Sequence, residues 1–415
     1  MAANRALAGS GRRRHRPANR WVLLTVSLTA WAVGATAVFQ LSLVLPALRA
    51  ETGISLAVAG ALVGIANGGL TLAVLGWGIV ADHLGSRAIM SCGLTLCALL
   101  LCVAAGTRDV VVLFVAFGLV GVTAGSVYAP SGRAVVQGFP ARQRALALGL
   151  TQASTPLSSA LAAVTVPGMA AQSLSVVWLS MAGLCLLTAI FVGVFGRQPP
   201  VETSTPTDNE RVHTTGAPLR RMYGACVLLV LPQSALLTFS VSYLVDDWGW
   251  SSIHAGRLLS AALLLTVLAR PVVGLLSDRL GQRLTLMRVF AFGNAAVLVL
   301  VVAGAVTGTL LGPIAVLVAC TSTVTGYGLA STVIAGFAEQ ARLGRALGVQ
   351  HTLQGLVGTV GPIVLSSVIG AAGYASAFAA LALAPLAGGA LLPVAAERRR
   401  RRRAVTAASS APTAQ

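Results

Sequence analysis

Apolar residues run through this chain in long stretches, broken by short clusters of charged and turn-forming residues. The breaks separate twelve segments: 21–48, 56–80, 88–106, 110–137, 145–169, 174–196, 221–245, 252–276, 284–305, 310–337, 346–371 and 374–395. Their lengths match the roughly 20 residues that carry a helix across about 30 Å of hydrocarbon. A backbone in hydrocarbon has no water to bond, and a helix satisfies its amides internally, so each segment is predicted helical. The expected fold is an all-α polytopic membrane protein of twelve transmembrane helices.

One polar stretch is longer than the others. Residues 197–219 (RQPPVETSTPTDNERVHTTGAPL) have the Pro-, Thr- and acid-rich composition of a flexible linker. They leave six segments on either side. The expected organisation is a basic tail at 1–20, a six-helix bundle at 21–196, the linker, a second bundle at 220–396 and a basic tail at 397–415.

Charge supplies the orientation. All 29 basic residues are Arg, and against 11 acids they give +18. Six lie in the first twenty residues (Arg5, Arg12, Arg13, Arg14, Arg16, Arg20) and six form the run Arg398 to Arg403; without these and Glu397, seventeen Arg face ten acids, a balance of +7. Basic blocks beside hydrophobic spans are held on the cytoplasmic side, which accounts for the charge without nucleic acid as a partner. With both termini inside, the cytoplasmic loops carry Arg87, Arg142, Arg144, Arg197, Arg211, Arg220, Arg221, Arg279, Arg283, Arg288, Arg342 and Arg345, and the outer side only Arg49, Arg108 and Arg257.

Composition excludes other classes. Of 415 residues 56% are hydrophobic and 10% charged, with mean hydropathy +0.84; soluble proteins have roughly 45–50% and about 25%. The apolar run from Trp21 to Leu48 exceeds a signal-peptide core of about 7–15 residues. The six Cys (Cys92, Cys97, Cys102, Cys185, Cys226, Cys320) lie in apolar runs without metal spacing and are expected to be packing residues. No metal or other cofactor is expected. The lack of Lys excludes the phosphate-binding Gly-x-x-x-x-Gly-Lys-Ser/Thr loop, and no His/acid cluster suggests an enzyme; a polytopic receptor or membrane enzyme is the remote alternative.

The two halves echo each other. Between the second and third segments the chain reads Gly78-Ile-Val-Ala-Asp82-His-Leu-Gly85-Ser-Arg87, and between the eighth and ninth Gly274-Leu-Leu-Ser-Asp278-Arg279-Leu-Gly281-Gln-Arg283, offset by 196 residues. Arg144-Ala-Leu and Arg345-Ala-Leu repeat at an offset of 201. Copies in the same order imply parallel repeats about an axis along the membrane normal. Gly78 and Gly274 are expected to permit close helix approach, and Gly85 and Gly281 tight turns. Asp82 and Asp278 can pair with Arg at a neighbouring helix end and latch one arrangement of the halves, where topology alone would require only Arg87 and Arg283.

The G-x-x-x-D-x-x-G-x-R loops, the 6+6 layout and the central linker resemble the major facilitator superfamily. That resemblance implies a monomeric secondary transporter of the cell membrane, working by alternating access on a small-molecule substrate, with a proton or exchange anion as the coupling partner. Its site would lie between the halves, where polar residues within spans are the candidates. Arg270 stands eight residues before Asp278, about 12 Å along a helix. A guanidinium at that depth needs water, a carboxylate or a substrate, and suits bidentate carboxylate binding. The Ala-Arg270-Pro271-x-x-Gly segment resembles the eighth helix of monocarboxylate and oxalate transporters, which implies an anion-binding Arg; pairing with a helix end is the structural alternative. The region from Tyr128 through Pro130, Arg133, Phe139 and Arg144 to Gly149 resembles cyanate- and nitrate-type permeases, although Arg133 also suits a purely structural role. Gln40, Asn67, Gln152, Gln233, Asn294, His351 and Gln354 are expected as buried polar groups, able to line a cavity or bond neighbouring helices. His351 could carry a proton. Tyr128, Tyr243 and Tyr327 are further wall candidates.

All eleven acids fall in loops or at segment edges. The fourth-helix Arg of proton-driven drug antiporters is replaced by Phe114 or Phe117, and Thr155-Pro156 stands where their motif has Gly-Pro. An organic or inorganic anion is therefore the expected cargo, with multidrug or metabolite efflux the alternative.

Overall fold

The computed structural model describes residues 20–139, 141–196, 217–327, 329–330, 333–334 and 343–395. The expected basic tails, apart from Arg20, and the linker up to residue 216 lie outside the described residues. So do Arg342 and the side chains of Asp82, Arg142, Arg144, Gln152, Asp278, Tyr327 and Arg345.

Every regular element among the described residues is helical: α1 (Arg20–Leu43), α2 (Leu45–Thr52), α3 (Leu56–Leu84), α4 (Ser86–Ala105), α5 (Val110–Ala124), a 3₁₀ turn (Gly125–Val127), α6 (Tyr128–Gly138), α7 (Ala141–Ala170), α8 (Leu174–Phe195), α9 (Ala217–Asp246), α10 (Ser252–Leu280), α11 (Arg283–Thr307), α12 (Leu311–Tyr327) and α13 (Leu343–Leu391). Nine described segments are long and apolar enough to cross a membrane. The last of these runs from Val349 to Leu391, and Gly373 (φ 77°, ψ 171°) divides its helix into two arms at the predicted break. Helix α7 adds 30 residues and α12 is a shorter apolar helix.

Two predicted segments are subdivided. Segment 21–48 breaks at Val44 into α1 and α2; Pro46 lies in the first turn of α2, and Gly53 (φ 71°) ends it by donating its N–H to the Arg49 carbonyl. Segment 110–137 passes from α5 through the 3₁₀ turn into α6. The tight turn sets Ser126 against Gly93 of α4, too close for any side chain at position 93.

Large apolar side chains point outward, among them Leu72, Val111 and Val306. Lipid tails are as apolar as these side chains, so hydrophobic burial does little to hold the helices together and close packing must do it. In the first half α1 packs on α7, α4 on α8 and α3 on α5; in the second, α9 and α11 pack on α13 and α11 on α12. Trp178 and Phe117 meet edge to face inside the first half, 4.9 Å between centroids. The halves meet along α3 with α13 and α7 with α10.

These seams rely on missing side chains. A Cβ at Gly64 would lie 2.6 Å from Ile363 Cγ1 and from the Thr359 carbonyl oxygen, and one at Gly60 would lie 2.8 Å from the Pro362 carbonyl. At Gly256 of α10 it would stand 2.7 Å from Pro167 Cγ of α7. The expectation that Gly78 and Gly274 serve this purpose is corrected: a Cβ at Gly78 would make ordinary contact with Ala129 at 3.5 Å, and one at Gly274 would meet nothing within 4 Å. Gly85 (φ 82°) and Gly281 (φ 59°) do supply the predicted turns, in a conformation that L side chains avoid.

Candidate functional site

The candidate residues fall on two sides. In the first half, Trp31 of α1 packs its ring on Tyr128 at the start of α6, 4.6 Å between centroids. The Trp31 indole donates to Thr155 Oγ1 of α7 at 2.8 Å, which fixes the ring's direction. Arg133, on the same helix as Tyr128, is half-buried. Asn67 Nδ2 donates to the Val63 carbonyl of its own helix at 2.9 Å. Its amide also borders Gly358 of α13, whose added Cβ would lie 3.7 Å from Asn67 Oδ1. Gln40 is buried and donates to the Ala37 carbonyl at 3.3 Å. It has almost no solvent-facing surface in this conformation.

In the second half, α10 and α12 share a polar seam. Thr321 Oγ1 donates to the Ala262 carbonyl at 3.1 Å, and one turn farther along α12 the Val324 carbonyl accepts from Arg270 Nη2 at 3.3 Å. A guanidinium has five N–H donors. Arg270 Nε is buried and has no partner. Among the described residues the ion pairs are Arg49–Asp246 and Arg108–Glu51, so no described carboxylate neutralises Arg270. The side chain is half-buried, one edge bound to α12 and another edge unsatisfied.

His351, expected to be buried, is exposed. Gln354 lies one helical turn farther along α13 and is half-buried. Asn294 is buried and accepts a hydrogen bond from Ser322, which joins α11 to α12 as the helix-bonding alternative predicts. Tyr243 is fully buried in an aromatic cluster with Trp248, Tyr374 and Phe378. Four of the six Cys are buried; Cys92 and Cys102 are exposed, so packing does not explain those two.

At the turn motifs, Arg87 donates to the Gly193 carbonyl of α8, and Arg288 donates to the carbonyls of Gly389 (3.0 Å) and Leu392 (2.6 Å) at the end of α13. Each contact stays within one half. Cations at helix C-termini are favoured by the unpaired carbonyls there. Arg279 and Arg283 are exposed.

A contact that no sequence pattern marks lies at the opposite end. Arg49 Nη1 of α2 pairs with Asp246 Oδ2 of α9 at 2.6 Å, and the Tyr374 hydroxyl donates to the same oxygen at 2.9 Å. By sequence Arg49 is only a topological charge on the outer side. Its partner lies 197 residues away, and no local pattern links them.

Comparisons with known proteins agree with this architecture. The family model described as Major Facilitator Superfamily matches residues 21–330 and 222–414. A Mycobacterium tuberculosis protein described as an uncharacterized MFS-type transporter is 32% identical over 378 residues, covering 90% of this chain and 85% of its own. Among solved structures, a bacterial homolog to the human lysosomal transporter Spinster, inward-facing and occupied, superposes with TM-score 0.73 at 15% identity over 94% of this chain and 97% of its own. The human organic anion transporter MFSD10 gives 0.67 at 19% identity over 90% and 99%. The two structures show likeness of fold; the family match and the identity to the mycobacterial protein go further. On those grounds, this multi-pass membrane protein belongs to the major facilitator superfamily of transporters.

Proposed function

We propose that the protein is a secondary active transporter of the cell membrane, working by alternating access on a small organic or inorganic anion. It has twelve passes in two six-helix halves, 21–196 and 220–396, joined by a cytoplasmic linker at 197–219, with both termini cytoplasmic. The reading rests on one observation: Arg270 lies within a membrane span, half-buried, with a bare Nε and no described carboxylate partner. Its bond to the Val324 carbonyl, the one formed among the described residues, leaves donors for an anion, and an incoming carboxylate or oxyanion would discharge a cost of several kcal/mol. The aromatic pair Trp31–Tyr128 and the accessible His351 supply wall contacts; His351 or the substrate carries any coupled proton.

Purified protein in liposomes should accumulate labelled monocarboxylate, oxalate or nitrate-type anions. Arg270→Ala should reduce uptake to that of empty liposomes, and Arg270→Lys should retain part of it. Wild-type uptake by Arg270→Ala would refute the anion site.

A second reading has one observation in its favour. A groove of about 530 Å³ between α9 and the two arms of α13 is lined by apolar side chains, among them Leu231, Leu356, Val360 and Leu381. Efflux of a hydrophobic compound would use such a surface, and would appear as raised resistance in an efflux-deficient host that Arg270→Ala leaves unchanged.

A further inference from the structure

The short helix α2 has one side tied to its own half and one side tied to the other. Glu51 Oε1 pairs with Arg108 at 2.9 Å, and Arg108 Nη2 also donates to Ser175 Oγ at 3.2 Å; these bonds fasten α2 to the α4–α5 turn and the start of α8. Two residues earlier on the same helix, Arg49 crosses to Asp246 at the end of α9. Pro46 in the first turn and the left-handed Gly53 at the end give α2 fixed ends, so it can transmit a pull. On the receiving side Tyr374 holds the same Asp246 oxygen, and Tyr374 directly follows Gly373, where the arms of α13 meet.

Below this ion pair runs the small-residue seam. Gly60, Gly64 and Gly68 of α3 receive Ser366, Ile363 and Thr359 of α13, and farther down Gly355 receives Thr71. Ser366 Oγ also lies 3.5 Å from the Ala57 carbonyl. Gly256 of α10 meets Ala163 and Pro167 near the matching end of α7. These contacts between the halves extend from the α2 rim to the level of Thr71, about 22 Å along α3. The halves are therefore closed against each other at this rim, which in the proposed orientation faces outside.

We infer that α2 is the clasp of the outer gate: Glu51, Arg108 and Ser175 anchor it to the first half, and Arg49 hooks the second half through Asp246 and Tyr374, so that opening to the outside requires the Arg49–Asp246 pair to break. The inference rests on alternating access but not on the nature of the cargo. Both partners are about 30% exposed (30% and 28%), so the pair biases the gate modestly and leaves the cycle reversible.

The test is a distance measurement. Spin labels at Gln172, in the α7–α8 turn, and Thr309, in the α11–α12 turn, report the separation of the rims. They are read in lipid nanodiscs, in a background with the six native Cys replaced. Arg49→Gln and Asp246→Asn should each raise the long-distance population roughly threefold. The charge-exchanged pair, Arg49→Asp with Asp246→Arg, should return it to the starting value, and Tyr374→Phe should give a smaller rise. Single variants that keep the original distribution, or an exchanged pair that does not restore it, would overturn the clasp. If no condition yields a second population, alternating access itself fails. A shift as expected, alongside unchanged uptake by Arg270→Ala, would uphold the clasp and discard only the anion site.

Discussion

Replacing Gly64 by Ala puts a methyl group 2.6 Å from Thr359 O and 2.6 Å from Ile363 Cγ1, where ordinary contact begins at 3.4 Å. The isoleucine can turn aside, but the carbonyl belongs to the backbone of α13. The helices must then part locally by the difference, 3.4 less 2.6, or about 0.8 Å. Overpacking of this kind costs about 1–3 kcal/mol. The cost applies only while the rim is closed, because in a state where α3 and α13 separate the methyl group meets lipid or water. At about 1.4 kcal/mol per tenfold, the ratio of open to closed rim should rise roughly 5- to 150-fold. Labels at Gln172 and Thr309 measure that ratio, and thermal unfolding in detergent checks that the variant remains folded. A folded Gly64→Ala protein with the wild-type distance distribution would refute the reasoning, since the seam would then not be what parts when the rim opens.

Two glycines of the repeated motif should behave oppositely. Gly281→Ala forces a side chain into positive φ and should destabilise the protein by about 1–2 kcal/mol, whereas Gly274→Ala enters open space within a helix and should be neutral or stabilising by up to about 1 kcal/mol; thermal melts of the two variants compare them directly. At the rim, burial, aided by the neighbouring Asp246, raises the Asp247 carboxyl above its ordinary 3.8. A carboxyl raised on folding favours the native state below its unfolded pKa, and that contribution is lost as pH rises through the folded value. Asp247→Asn should therefore melt higher than wild type at pH 7, and the difference should shrink as pH falls below 4; a constant difference across that range would contradict the assignment.

Much of the architecture was legible because membrane insertion is decided segment by segment. The breaks at Gly85, Gly281 and Gly373 are each set by local turn chemistry, and the structure has positive φ at all three. The subdivision at Val44 escaped notice because the residues around Pro46 are apolar on both sides and read as one run. The candidate site was less legible. Arg270 stood out because a charge within a span is rare, but the bond to Val324 and the bare Nε depend on how α12 lies against α10. Trp31 was invisible as a site residue, since a lone Trp in an apolar run has no pattern to distinguish it. Its role came from Thr155 on another helix. Gly274 misled because its motif recurrence was read as a packing contact, when the neighbouring helix stands too far away for a Cβ to touch.

The linear sequence was sufficient for the membrane-spanning helices, the turns between them, the repeated motif and the family resemblance. Each of these follows from hydropathy or backbone chemistry over a few neighbouring residues. Tertiary structure alone decided which glycines form the seam between α3 and α13, that His351 is exposed, and that Arg49 meets Asp246 and Tyr374. The reason is rotational. A helix that is apolar on every side enters lipid equally well at any angle about its axis, so its sequence marks no preferred face, and only packing against the other helices chooses one.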